Sequence, residues 1–210
     1  MSIVSVRGVV RHYKQGDITV KALDGVDLDL EPGEFTTLMG PSGSGKTTLL
    51  NQIGGLDQPD SGTITIDGTE ISKLSSSQLA DVRLRKLGFV FQSYNLVPVL
   101  SAYENAEFVL LLQGMPAAER KQRVMETLAA VGLQGMEHRR PGELSGGQQQ
   151  RVAVARAIAG RPALVLADEP TANLDSKTSE SLIDLMRSLN SEHGITFLFS
   201  THDPRIMDAA

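Results

Sequence analysis

The sequence predicts an α/β fold built on a mostly parallel sheet, with an antiparallel β portion near the N-terminus and an inserted helical lobe. Three observations predict it. Strand-like and helix-like patterns alternate, with Gly at the joints. Ala163 to Ala167 and Ile195 to Ser200 are continuous or nearly continuous apolar runs, the mark of strands covered on both faces. Between about 93 and 160 the periodicity is helical. Residues 1–210 are therefore read as one domain, with 1–92 and 161–210 as the α/β core and 93–160 as the helical lobe.

Each element has its own signal. Val26, Leu28 and Leu30 alternate with Asp27 and Asp29, the period-2 pattern of a half-buried strand, and Pro32-Gly33 turns the chain. Phe35 to Met39 reads as a strand entering a glycine-rich loop, Gly40 to Gly45. A short helix follows from Lys46 to Ile53, with Leu49, Leu50 and Ile53 on one face and Gly54-Gly55 as its stop. Thr63 to Asp67, between two glycines, reads as a short antiparallel strand. Leu79, Val82 and Leu87 mark a helix that Gly88 is expected to end, ahead of a buried strand Phe89 to Phe91. Ser101 and Glu104 have capping-box spacing before the apolar Phe108 to Leu112. Pro116 suits the first turn of the next helix, whose face is Val124, Leu128 and Val131 and whose cap is Gly132. A further helix is expected from Gly147 to Gly160.

Composition excludes several classes of function. The chain has 210 residues, 40% hydrophobic and 21% charged, which suits a soluble domain with a sizeable core. Twenty basic against 25 acidic residues leave a net charge of −5, the wrong sign for a general nucleic-acid binder. No cysteine is present, so disulfides, thiolate metal sites and a Cys nucleophile are all excluded. No apolar run approaches the roughly 18 residues of a membrane span, and no signal peptide is read, so a cytosolic location is expected.

The chemistry begins at Gly40-Pro41-Ser42-Gly43-Ser44-Gly45-Lys46-Thr47, which matches G-x-x-x-x-G-K-[ST]. A triphosphate needs many donors with little bulk around it. Glycines let the backbone wrap the phosphates, and the helix that starts there adds unpaired N–H groups and its dipole. Lys46 supplies a mobile charge for the β- and γ-phosphates, and the Thr47 hydroxyl suits Mg²⁺. The expected nucleotide-binding set in this loop is Gly40, Ser42, Gly43, Ser44, Gly45, Lys46, Thr47 and Thr48.

A second constellation is the strand Ala163 to Ala167 followed by Asp168-Glu169. Alone, a strand ending in two carboxylates is often a solvated loop start. After a phosphate-binding loop the balance reverses, because ligands of α/β sheets bind at the strands' C-terminal edge. Asp168 then suits Mg²⁺ and Glu169 suits the attacking water. Gln92 and His202 also follow apolar strands. Taken singly, each reads as a polar residue at a loop start, but both fit the site, Gln92 toward Mg²⁺ or water and His202 toward the γ-phosphate. His12, His138 and His193 have no such setting, and no spacing suggests zinc. The third constellation, Leu144-Ser145-Gly146-Gly147-Gln148, is a helix start with a serine cap. It reads either as a cap alone or as a second anion cradle serving another copy's nucleotide.

This order of motifs, with Leu144 to Gln148 as LSGGQ and with Asn173-Leu174-Asp175, resembles the ATP-binding subunit of ABC transporters along essentially the whole chain. The resemblance implies a phosphate-binding-loop ATPase core. It also implies Tyr13 as the ring stacked on adenine, although Tyr13 reads equally as a half-buried strand residue. Gln92 is implied as the link from Mg²⁺ to a membrane partner, Glu169 as catalytic base and His202 as the switch histidine. Lys46 completes that catalytic group, and Thr47, Gln92 and Asp168 form the metal group. Ser145, Gly147 and Gln148 are implied to close on the nucleotide of the opposite subunit in a head-to-tail homodimer, with Asp175 at the dimer contact. The implied partner is an integral membrane permease subunit, which would hold the ATPase peripherally on the inner face of the membrane. Apolar Leu96, Val97, Val99 and Leu100 are candidates for that docking, or for ordinary packing of the lobe.

Gly55 to Gly62 and Pro170 to Thr178 are similar to the lipoprotein-release and macrolide-export branch, in which dimerisation can move the membrane subunit mechanically. A cell-division-type ATPase is the alternative. DNA-acting relatives need long heptad insertions, translation factors carry two such domains, and a phosphate-loop kinase would lack LSGGQ. The chain departs from the family in ending at Ala210, soon after His202, where relatives usually continue. Phosphate chemistry is expected to survive that difference.

Overall fold

The computed structural model describes residues 2–16 and 18–202. The elements run β1 Val4–Gln15, β2 Ile18–Leu30, β3 Phe35–Met39, α1 Lys46–Ile53, β4 Ser61–Ile66, β5 Thr69–Glu70, α2 Ser76–Lys86 and β6 Leu87–Phe91. They continue as α3 Ala102–Leu112, α4 Ala117–Ala130, α5 Gly146–Ala159, β7 Leu164–Asp168, α6 Ser176–His193 and β8 Thr196–Thr201. Among the described residues these strands form two four-stranded sheets. One is antiparallel, in the order β2-β1-β4-β5; the other is parallel, in the order β3-β8-β7-β6.

The period-2 geometry of β7 and β8 divides the core. Leu164, Leu166 and Leu198 face a cluster that also contains Val4, Val6, Ile64 and Ile66 of the antiparallel sheet and Leu49, Leu50 and Ile53 of α1. Val165, Ala167, Phe197 and Phe199 face the opposite way, into a cluster with Leu110 of α3, Leu128 of α4, Val154 of α5 and Leu182 of α6. Both faces of the parallel strands are thus apolar and covered, which is why their sequence shows runs rather than alternation.

The antiparallel portion is longer than the sequence suggests. Of β1 the sequence offers only Tyr13, as one of two readings of that residue, and β2 begins eight residues before Val26. Charged and exposed positions, together with register shifts after Val6 and Val9, mask the alternation of β1. The helix α6 was likewise not anticipated, although Asp175 caps it by accepting from Thr178 N–H at 3.0 Å.

Gly88 does not stop α2. The helix ends at Lys86, and Leu87 already belongs to β6. A Cβ at Gly88 would lie 2.4 Å from the Ala157 carbonyl oxygen, so the residue is small because α5 packs on the strand backbone there. The expected capping box at Ser101 and Glu104 is present, and Ser75 with Gln78 forms another. Among the described residues no helix is long and apolar enough to cross a membrane.

Candidate active site

Parallel strands end on one side, and register fixes which residues meet there. Phe91 pairs with Asp168, Asp168 with Ser200, and Met39 with Thr201. The residues that follow, Gln92, Glu169, Gly40 and His202, therefore stand along one C-terminal edge. That edge is where ligands of open α/β sheets bind.

The loop Gly40 to Gly45 leads directly into α1, whose N-cap is Gly45 at φ 94°. A Cβ on Gly45 would come 2.4 Å from the Ala22 carbonyl oxygen of β2, so neither conformation nor space admits a side chain. The Lys46 ammonium donates to Gly40 O at 2.8 Å and Pro41 O at 2.9 Å. An ammonium has three donors, so one remains for a phosphate oxygen. Thr47 is exposed, and its hydroxyl donates to Asp168 Oδ1 at 3.0 Å. This bond ties the end of the phosphate loop to the acidic strand end.

Ser200 enters the same cluster. Its fully buried hydroxyl donates to Asp168 Oδ1 at 2.7 Å and accepts from Glu169 N–H at 3.0 Å. Glu169 has a left-handed backbone, φ 45°, unusual for a residue with a side chain. Its carboxylate Oε1 lies 3.0 Å from His202 Nδ1. Gln92 is exposed, and its carbonyl accepts from Asn173 Nδ2 at 2.9 Å.

Sequence reasoning missed Ser200 because it reads as the last residue of an apolar strand. It also missed Gln150, whose buried amide donates to Pro170 O at 2.8 Å and Phe91 O at 3.3 Å. A fully buried glutamine on α5 that bridges two strand ends leaves only a faint sequence signal, a polar residue on an otherwise apolar helical face. Arg156 on the same helix donates to the carbonyls of Tyr94 and Asn95, two consecutive residues with positive φ. Burial pushes its guanidinium pKa downward.

Ser145 is exposed and caps α5, accepting from Gln148 N–H at 3.3 Å while Gln148 Oε1 accepts from Ser145 N–H at 2.9 Å. The glycines beside it are tightly packed. A Cβ at Gly147 would lie 2.5 Å from Thr178 Cγ2, and one at Gly146 would lie 2.9 Å from the Tyr94 hydroxyl. No hydrogen bond links this turn to the phosphate loop among the described residues. Tyr13, in β1, pairs with Val20 of β2, two residues from the Ala22 carbonyl beside Gly45. Its hydroxyl donates to Asp57 at 2.7 Å, and the Arg11 guanidinium lies 4.8 Å from its ring centroid. Ser42, Gly43 and Ser44 are exposed at the loop's crest, and Thr48 is half-buried on α1.

The donor set fits Mg²⁺. The Thr47 hydroxyl keeps its lone pairs while donating to Asp168 Oδ1, and the carboxylate supplies hard anionic oxygen, the donor chemistry Mg²⁺ takes. Among the described residues no group of three or more acidic or His side chains is placed to hold a metal ion.

The family model for ABC transporters matches residues 23–172. An uncharacterized ABC transporter ATP-binding protein of Thermotoga maritima is 49% identical over 206 residues, covering 98% of this chain and 88% of the relative. The lipoprotein-releasing system ATP-binding protein LolD of Anaeromyxobacter dehalogenans is 47% identical, with 98% and 86% covered. The macrolide export ATP-binding/permease protein MacB of Marinobacter nauticus is 45% identical, with 99% of this chain but only 32% of the relative covered. A solved dimeric structure of the ATP-binding cassette MJ0796, in a post-hydrolysis state bound to ADP and Pi, superposes with a TM-score of 0.88 at 44% identity. It covers 97% of this chain and 89% of that one.

Proposed function

Starting from a chain that belongs to the ABC transporter family and is one of its ATPases, we propose that it powers a separate membrane permease through ATP-driven dimerisation. The observation that carries the reading is the cluster in which Thr47, Asp168, Ser200, Glu169 and His202 meet at one sheet edge.

The phosphate loop and Lys46 hold the β- and γ-phosphates, and Tyr13 supports the adenine. Thr47 and Asp168, with Gln92, hold Mg²⁺, which supplies charge neutralisation on the phosphate oxygens. Glu169 accepts the proton of the attacking water as that water's oxygen bonds to the γ-phosphorus and the bond to ADP breaks. His202, 3.0 Å from the Glu169 carboxylate, orients it and reaches toward the γ-phosphate.

Ser145, Gly147 and Gln148 close on the γ-phosphate of a second copy. Ser145 is exposed at the N-terminus of a 14-residue helix, where the dipole favours an anion. The solved dimer of a 44% identical cassette supports this arrangement. For the permease, a groove of about 390 Å³ between α2, β6 and α3 is lined by Leu56, Leu84, Phe89, Val109 and Leu112. Nearby Phe108 and Leu111 are 46% and 51% exposed, a liability that a partner would relieve. Of the loop residues suggested by sequence, Val97 and Val99 are exposed, whereas Leu96 packs on the core. The similarity to LolD and MacB supports an export or mechanotransmission role on the cytoplasmic face of the membrane.

The test is steady-state hydrolysis and ATP binding in variants at the cluster. Glu169→Gln is expected to reduce turnover by roughly a hundredfold or more with ATP still bound. A variant hydrolysing at the parent rate removes Glu169 from the mechanism.

A further inference from the structure

We propose that Ser200 is a positioning residue for hydrolysis: its hydroxyl sets the backbone of the catalytic base and the carboxylate of the metal ligand at the same time. The inference rests on the reading of Glu169 as base and Asp168 as magnesium ligand.

One hydroxyl has one proton and two lone pairs. Here the proton goes to Asp168 Oδ1 at 2.7 Å, and a lone pair receives Glu169 N–H at 3.0 Å. Both assignments are forced. A backbone N–H can only donate, so the serine must be the acceptor there and can give its proton only to the carboxylate. Thr47 donates to the same Oδ1 at 3.0 Å, so Asp168 is fixed from two sides with its second oxygen still available.

The bond to Glu169 N–H helps hold a strained conformation, beside a local turn bond in which the Glu169 carbonyl accepts from Ala172 N–H at 3.1 Å. Glu169 stands at φ 45°, where a residue with a Cβ is strained, and such strain persists only where surrounding structure holds it. The serine is fully buried at the end of β8, itself locked between β3 and β7, so its oxygen is a rigid anchor. Two residues further along, His202 meets the Glu169 carboxylate at 3.0 Å. The tip of β8 thus grips Glu169 twice, by the backbone through Ser200 and by the side chain through His202. Without the hydroxyl, Glu169 N–H loses its acceptor, and the left-handed turn keeps only the bond at its carbonyl. The carboxylate then leaves its place by a fraction of an ångström or more, enough to slow a reaction that depends on alignment.

Ser200→Ala tests this, because alanine keeps the packing and removes only the hydroxyl. Steady-state hydrolysis is expected to show kcat lowered roughly ten- to a hundredfold, with KM for MgATP changed less than about threefold. The melting temperature should stay within a few degrees of the parent, and Ser200→Thr, which restores a hydroxyl, should recover most of kcat. Parent-like kcat in Ser200→Ala overturns the proposal. So does an equal loss in Ser200→Ala and Ser200→Thr together with lowered melting temperatures, which would mark a packing role. Glu169→Gln run in parallel separates the two readings: if it keeps parent turnover, the assignment of Glu169 fails. If it is inactive while Ser200→Ala is unaffected, only the role of Ser200 fails.

Discussion

Gly88→Ala should destabilise the protein far more than its single methyl group suggests. The new Cβ would sit 2.4 Å from Ala157 O, 3.0 Å from Ala157 C and 3.2 Å from Pro162 Cγ, where ordinary contact starts at 3.4 Å. About 1 Å of overlap with a backbone carbonyl cannot be relieved by rotating a side chain. Gly88 also pairs with Val165 in the parallel ladder, so β6 can retreat from α5 only by loosening its bonds to β7. Overpacking of this kind costs about 3 kcal/mol. For a chain of this size that lowers Tm by roughly 6–12 °C. Gly142→Ala is the control, since that glycine has nothing within 4 Å and no positive φ. Differential scanning calorimetry of both variants decides the matter. A Gly88→Ala melting temperature indistinguishable from that of Gly142→Ala would refute the contact between β6 and α5.

Arg156→Ala strips the Tyr94 and Asn95 carbonyls of their shared donor, and it should cost about 2–3 kcal/mol in urea unfolding and speed hydrogen exchange around residues 94–95; unchanged exchange would show that the guanidinium holds nothing there. Asp168→Asn should weaken the magnesium dependence of nucleotide binding while leaving metal-free ATP binding near parent values, as read by titration calorimetry at several Mg²⁺ concentrations. Stability should fall on acidification. Asp60, held below the usual carboxylate range by His12 N–H and then Arg11, and Asp175, held down by Thr178, bind fewer protons folded than unfolded. Their contribution is complete above the unfolded pKa of about 4 and is lost as pH drops through the lower folded values. Asp60→Asn should make urea midpoints less steep below pH 4, and an identical slope would discount that carboxylate.

Much of this was legible in the residues themselves. Gly40 to Thr47 carried the phosphate loop because its chemistry demands particular residue types at fixed spacing. β7 and β8 were visible because burial on both faces writes an apolar run. β1 and most of β2 were hidden beyond Tyr13 and Val26, since Arg7, Lys14 and Lys21 lie exposed along them, and bulges break the alternation. Gly88 shows the ambiguity of glycine: a helix stop and a close backbone approach look the same in a sequence. Ser200 was hidden for a different reason. Its role comes from pairing with Asp168 across two strands 32 residues apart, and parallel register is set by the whole sheet.

In the proposed dimer one triphosphate joins two copies, gripped by the phosphate loop of the first and the Ser145 turn of the second. Light scattering on Glu169→Gln with and without MgATP measures it most directly. Adding MgATP is expected to double the mass, and introducing Ser145→Arg into the same chain to abolish the doubling. A Glu169→Gln protein that binds MgATP and keeps the mass of one chain would contradict it.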